Sequence, residues 1–122
     1  MFINFEANAI ASDFAKVTGT LSYPRLSTAL VLEPIIYITL VDVSPSQDSS
    51  GNIIARVTIV NPTLSPICFE LRYNPTQVEP RHIYAVQARI TDQGKVIFAN
   101  TLPYPVITRG NPHKVNIVLT TK

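Results

Sequence analysis

The sequence predicts an all-β chain, a single antiparallel β-sandwich of about seven to eight short strands. Three observations carry that prediction. From Ala15 onward apolar residues recur with a period of two, the mark of strands with one covered face. Ten prolines are spread over 122 residues, which argues against long helices and long central strands. The apolar runs are short, and Asn, Pro, Asp, Gly and Ser, the residues of turns, fill the gaps between them. Strand spacing alone fits a sandwich or a barrel, and the sandwich is the reading adopted here.

The elements follow in chain order. Residues 1–14 are set apart as an N-terminal segment, flexible or non-native, in which Phe2, Ile3, Phe5, Ile10 and Phe14 fit a short helix, an added strand or a loose tail. Residues 15–122 form one domain, with no linker, repeat or low-complexity tract. In "AKVTGTLSY" Val17, Gly19 and Leu21 oppose Thr18, Thr20 and Ser22; in "PIIYITLVDV" Ile36, Ile38 and Leu40 oppose Tyr37, Thr39 and Val41. "NIIARVTIV" sets Ala55, Val57 and Ile59 against Arg56 and Thr58, and "PICFELRY" sets Ile67, Phe69 and Leu71 against Cys68, Glu70 and Arg72. "HIYAVQARIT" turns Tyr84, Val86, Ala88 and Ile90 one way and Gln87 and Arg89 the other; "KVNIVLT" does the same with Val115, Ile117 and Leu119 against Asn116 and Thr120. One apolar face per strand points to antiparallel sheets over a shared core. "SPSQDSSGN" reads as a long polar loop, "NPTLSP" and "NPTQVEP" as proline turns, and "DQG" as a tight hairpin whose glycine takes a positive φ.

Several function classes are disfavoured. The net charge of +2 comes from scattered lysines and arginines, and aromatic residues do not alternate with basic ones on a strand face, so a nucleic-acid partner is not expected. No apolar run approaches the roughly 18 residues that span a bilayer. The start "MFINFEANAIASDF" lacks a basic n-region and a cleavage site, so it is not a secretory signal. The single cysteine, Cys68, excludes an internal disulfide.

The run from Phe69 to Leu119 carries a resemblance. Its pieces are the strand end "FELRYNP", then "PRHIYAVQARI", the hairpin, "YPVITRGNP" and the last strand; "VTGTLSY" and "ITLVDVS" fit as well, so coverage extends from Val17 to Thr120. In this order they closely resemble the family of Gram-negative envelope lipoproteins that includes YbaY and the type III secretion lipoprotein chaperone YscW. The resemblance implies an exported β-sandwich of immunoglobulin- or transthyretin-like layout, lipid-anchored at the outer membrane. Some members act as pilotins, which bind a secretin subunit and help it reach or assemble in that membrane. The expected function is therefore a non-enzymatic accessory or chaperone with a protein partner, a secretin or another secretion-system component, and no cofactor. Members carry a leader ending in a lipid-accepting cysteine. Nothing like it precedes Ala15 and Cys68 lies inside a strand, so attachment is expected only through an anchor outside this sequence. With a lipidated leader removed, the chain belongs on the periplasmic side of the outer membrane.

Arg109–Pro112 is read mainly as a turn, in which Gly110 opens a conformation closed to other residues; the functional alternative has Arg109 and His113 gripping a partner's carboxylate. Tyr37, on the polar side of its strand, is the expected exposed anchor for a partner, which makes Tyr37, Arg109 and His113 the candidate binding surface. Tyr73 and Tyr84 are expected in the core or at a corner, a hydroxyl capping a nearby loop. His82 is expected at a partly exposed strand start, and Cys68 in solvent with Glu70 and Arg72. No metal-ligand spacing or nucleophile elbow is present, so a small metal-dependent hydrolase using His82, His113 and nearby acids is the remote alternative. A structural envelope module without a specific client is the nearer one.

Overall fold

The computed structural model describes residues 14–24, 26, 31–44, 52–62, 65–100 and 102–121. Apart from Phe14, the expected N-terminal segment lies outside the described residues, as does most of the polar loop after Ser44. Among the described residues nine strands are formed: β1 (Ala15–Ser22), β2 (Pro34–Asp42), β3 (Asn52–Val60), β4 (Ile67–Tyr73), β5 (Tyr84–Asp92), β6 (Lys95–Ala99), β7 (Pro105–Val106), β8 (Lys114–Val118) and β9 (Thr120–Thr121). They make a small sheet in the order β4-β1-β8 and a large sheet in the order β3-β2-β5-β6-β9, with β7 pairing β5.

The core lies between the sheets and is made by the residues the period of two turns inward. Val17 and Leu21 of β1, Phe69 and Leu71 of β4, and Val115 and Ile117 of β8 pack in one cluster with Ile36, Ile38 and Leu40 of β2 and Val86 and Ile90 of β5. Complete burial of each aliphatic side chain contributes about 1.5–3 kcal/mol. The all-β sandwich is the observed fold. One ladder departs from the antiparallel expectation: β8 runs parallel to β1, with Gly19 beside Val115 and Leu21 beside Ile117.

That parallel ladder lets the chain change sheets. After Val118 the chain passes Leu119, which is 1% exposed and whose N–H donates to the Ser22 carbonyl at 2.8 Å, and then pairs with β6 of the large sheet as β9. One side of the sandwich is thereby laced shut.

Four outward positions of the large sheet are also buried. Thr39, Val41, Ala85 and Thr91 are each under 9% exposed. Their place on the two central strands explains this: Thr39 is flanked by Arg56 and Gln87, and Thr91 by Ile35 and Val96, so longer side chains on neighbouring strands shade them.

The turns follow their chemistry. Gln93 (φ 53°) and Gly94 (φ 85°) both take left-handed backbone in the β5–β6 hairpin, as a two-residue primed turn requires. The Asp92 carboxylate accepts from the Leu32 and Glu33 amides at 3.1 and 2.7 Å, tying that hairpin to the entry of β2. Asn74 accepts from the Thr76 N–H and caps the 3-10 turn Pro75–Gln77. Tyr84, 1% exposed, accepts the Glu79 N–H on its hydroxyl at 2.8 Å, the corner role expected of it.

Gly19 is the tightest point. It is buried between Phe69 on β4 and Val115 on β8, and a Cβ there would overlap the Val115 carbonyl oxygen and press on the Phe69 ring. Gly19→Ala is expected to force the strands apart, at a cost of about 2 kcal/mol or more. Thermal unfolding checks this, with Tm falling by several degrees; an unchanged Tm would show that the small sheet accommodates a methyl group.

Candidate functional site

Three loops meet at one end of the sandwich. Asp42, the last residue of β2, is 3% exposed. Its carboxylate accepts from the Ser44 amide at 3.0 Å and faces His82 Nδ1 at 2.7 Å. The Ser44 hydroxyl accepts the Ile83 N–H at 2.8 Å, and the Val43 N–H donates to the Ile83 carbonyl at 2.8 Å. From the β7–β8 connection the Thr108 hydroxyl donates to the His82 carbonyl at 2.7 Å. His82 thus sits in the turn before β5, its ring stacked on Tyr84 at 6.4 Å between centroids. Burial pushes the Asp42 carboxyl up, but the Ser44 amide and hydroxyl and the His82 ring outweigh it and hold the group below the usual carboxylate range.

This network is a clasp. Ser44 is buried, its amide donating to Asp42 and its hydroxyl accepting the Ile83 N–H. His113, exposed just before β8, is tied to the other sheet, where its carbonyl accepts from the Thr18 amide at 3.0 Å. Among the described residues no three His, Cys, Asp or Glu side chains gather as a metal site.

The stretch Arg109–Pro112 is a turn. Ile107 (φ 63°), Arg109 (φ 58°) and Gly110 (φ 84°) take left-handed backbone, the Asn111 N–H donates to the Thr108 carbonyl at 3.0 Å, and the Ile107 N–H donates to the Pro112 carbonyl at 2.9 Å. Arg109 is exposed, with one long contact at 3.4 Å to the Arg81 carbonyl. Arg109 and His113 therefore share an exposed connection at the clasp end, while Tyr37 stands on β2 in the large sheet.

The two outer faces of the sandwich differ. That of the small sheet carries paired polar groups, Glu70 meeting Arg72 at 2.9 Å and Lys16 at 3.7 Å and Thr20 donating to Asn116 at 2.8 Å, beside an exposed Lys114 and Val118. Cys68 is exposed there. The outer face of the large sheet carries rows set by register. Val60, Ile35, Thr91 and Val96 form one, Thr58, Tyr37, Arg89 and Ala99 the next, and Ile53, Val41 and Ala85 another. Tyr37 is half-buried rather than exposed, because the Arg89 guanidinium lies 4.5 Å over its ring. At the β3 border Val60 is 63% and Ile53 51% exposed, an apolar rim without a cover among the described residues. Of these side chains the sequence pattern placed Tyr37, Val41, Thr58 and Arg89 outward; the register that joins them into rows has no signature in a single strand.

Comparison with known proteins decides the family. The family model described as "Type III secretion system lipoprotein chaperone (YscW)" matches residues 12–119. The chain belongs to this family. It is 30% identical over 94 residues to "Uncharacterized lipoprotein YbaY" of Escherichia coli (strain K12), a match that covers 77% of the chain. The chain spans about half the length, 49%, of that curated relative. Its fold is similar to "an alternative pilotin from the type II secretion system of Vibrio cholerae", with a TM-score of 0.77, 28% identity, and coverage of 89% of this chain and 97% of that one. The secretion-chaperone lipoproteins of the Gram-negative envelope are thus its relatives in both sequence and fold.

The clasp makes a prediction. Because Asp42 has a lower pKa folded than unfolded, its stabilisation is complete above the unfolded value and is lost as pH falls through the folded one. Asp42→Asn is expected to destabilise at neutral pH by about 2 kcal/mol and to flatten part of the acid limb of stability against pH. Denaturant unfolding at a series of pH values reads both; an acid limb identical to wild type would remove Asp42 from this role.

Proposed function

We propose that this chain is a non-enzymatic envelope chaperone that captures a segment of a secretion-system protein, with a secretin as the partner. The observation that carries the proposal is the outer face of the large sheet, which presents Tyr37, braced by Arg89, beside an apolar rim of Val60 and Ile53. A braced aromatic loses little freedom on binding, which suits it as an anchor. Family membership and the likeness to a pilotin support a secretin as partner. The chain works on the periplasmic side of the outer membrane, where a lipid anchor would hold it. Arg109 and His113 are accessory contacts at the clasp end.

The direct test is titration of the purified full chain with the purified secretin of the same secretion system, alongside fractionation of cells with and without the gene. Binding is expected, with the secretin lost from the outer-membrane fraction when the gene is deleted. Tyr37→Ala is expected to weaken binding about tenfold or more with Tm preserved, and Arg109→Ala with His113→Ala to weaken it less. Absence of binding together with unchanged secretin fractionation would overturn the proposal.

A further inference from the structure

We infer that the captured segment adds as a strand to the outer edge of β3 and carries a carboxylate opposite Arg56, an inference that rests on the proposed function. The first ground is the direction of the backbone groups. The Asn61 N–H donates to the Pro34 carbonyl at 3.0 Å, which fixes the alternation of the β2–β3 ladder. Ile59, Val57 and Ala55 therefore turn their N–H and C=O groups toward β2, and Val60, Thr58 and Arg56 turn theirs away from it. Among the described residues β3 pairs with β2 alone, and no hydrogen bond reaches those outward groups.

The second ground is the length of this edge beyond its one bulge at Ile54: the stretch Arg56–Val60 pairs regularly with β2. β3 is nine residues long and contains no proline, whereas β9 at the opposite border of the large sheet has only two residues. The inward side chains Ala55, Val57 and Ile59 are half-buried, while their β2 counterparts Ile36, Ile38 and Leu40 are 0% exposed. β4 borders β3 across the sandwich without a backbone hydrogen bond to it. The seam between β3 and β4, on the side opposite the β8–β9 crossing, thus has the two strands close together with no ladder between them. A strand added to β3 would satisfy the free backbone groups and cover the half-exposed apolar residues with its own alternate side chains.

The third ground is charge. Arg56 is exposed, is the only charged residue of β3, and has no ion pair among the described residues, while Glu70 of the small sheet is occupied by Lys16 and Arg72. The occupant is therefore an extended segment of roughly five to seven residues, apolar at alternate positions, with an acidic residue facing Arg56.

Hydrogen exchange of the full chain, alone and saturated with purified secretin, tests this at residue level. The Arg56, Thr58 and Val60 amides are expected to exchange fast in the free chain and at least tenfold more slowly in the complex. Thr58→Pro removes an outward N–H without touching the β2 ladder and is expected to weaken binding tenfold or more; Arg56→Glu should weaken it while Arg56→Lys retains it. If Thr58→Pro fails to fold, exchange of the wild-type chain still decides. Secretin bound with those three amides exchanging at the free rate would overturn strand addition and leave the proposed function standing. Failure of the wild-type chain to bind secretin at all would bring down both.

Discussion

The close approach of three strands at Gly19 is the constraint on which the rest of the architecture depends. β1 is the middle of the small sheet, with β4 antiparallel on one side and β8 parallel on the other. Only a residue without a Cβ lets the Val115 carbonyl come in beside it. That approach aligns β8 with β1 and directs the chain end past Leu119, where the Ser22 carbonyl receives the Leu119 N–H and the strand crosses into the large sheet. Three strands are the fewest that a sheet needs for stability of its own. Sharing its last strand with the neighbouring sheet makes the two faces one unit.

The same device leaves the molecule asymmetric. One seam is laced by the β8–β9 crossing, and the other is left as two neighbouring edges, β3 and β4, without a ladder between them. At the clasp end, Asp42, Ser44, His82 and Thr108 spend their polar groups on one another and on backbone, which fixes the loops. Outward backbone groups without a partner among the described residues and exposed apolar side chains meet at β3, next to the Tyr37–Arg89 pair. A scaffold with a rigid centre and one unfinished border is well suited to hold an extended segment of another chain.

Much of this was legible in the sequence, and the gaps have physical reasons. Alternation identified the inward residues of every long strand because the side-chain period is two whichever neighbour a strand takes. For the same reason alternation cannot tell a parallel neighbour from an antiparallel one, and the β1–β8 ladder departed from expectation. Gln93 and Gly94 form the expected hairpin and the Tyr84 hydroxyl caps the expected corner, since both depend on residues close in sequence. The His82–Asp42 contact joins positions forty apart and needed the fold. Tyr37 was expected to be exposed; Arg89 reaches it only through the β2–β5 register. The open edge of β3 left no sequence signal, because an edge strand and a central strand can share one pattern.

The measurement that addresses the central claim most directly is site-specific photo-crosslinking in cells, with a photoreactive amino acid placed at position 58 on β3 or at position 20 on the outer face of the small sheet. The account predicts an adduct with a secretion-system protein from position 58 and none from position 20. Adducts from position 20 with none from position 58 would place the partner on the small sheet, and would contradict the account.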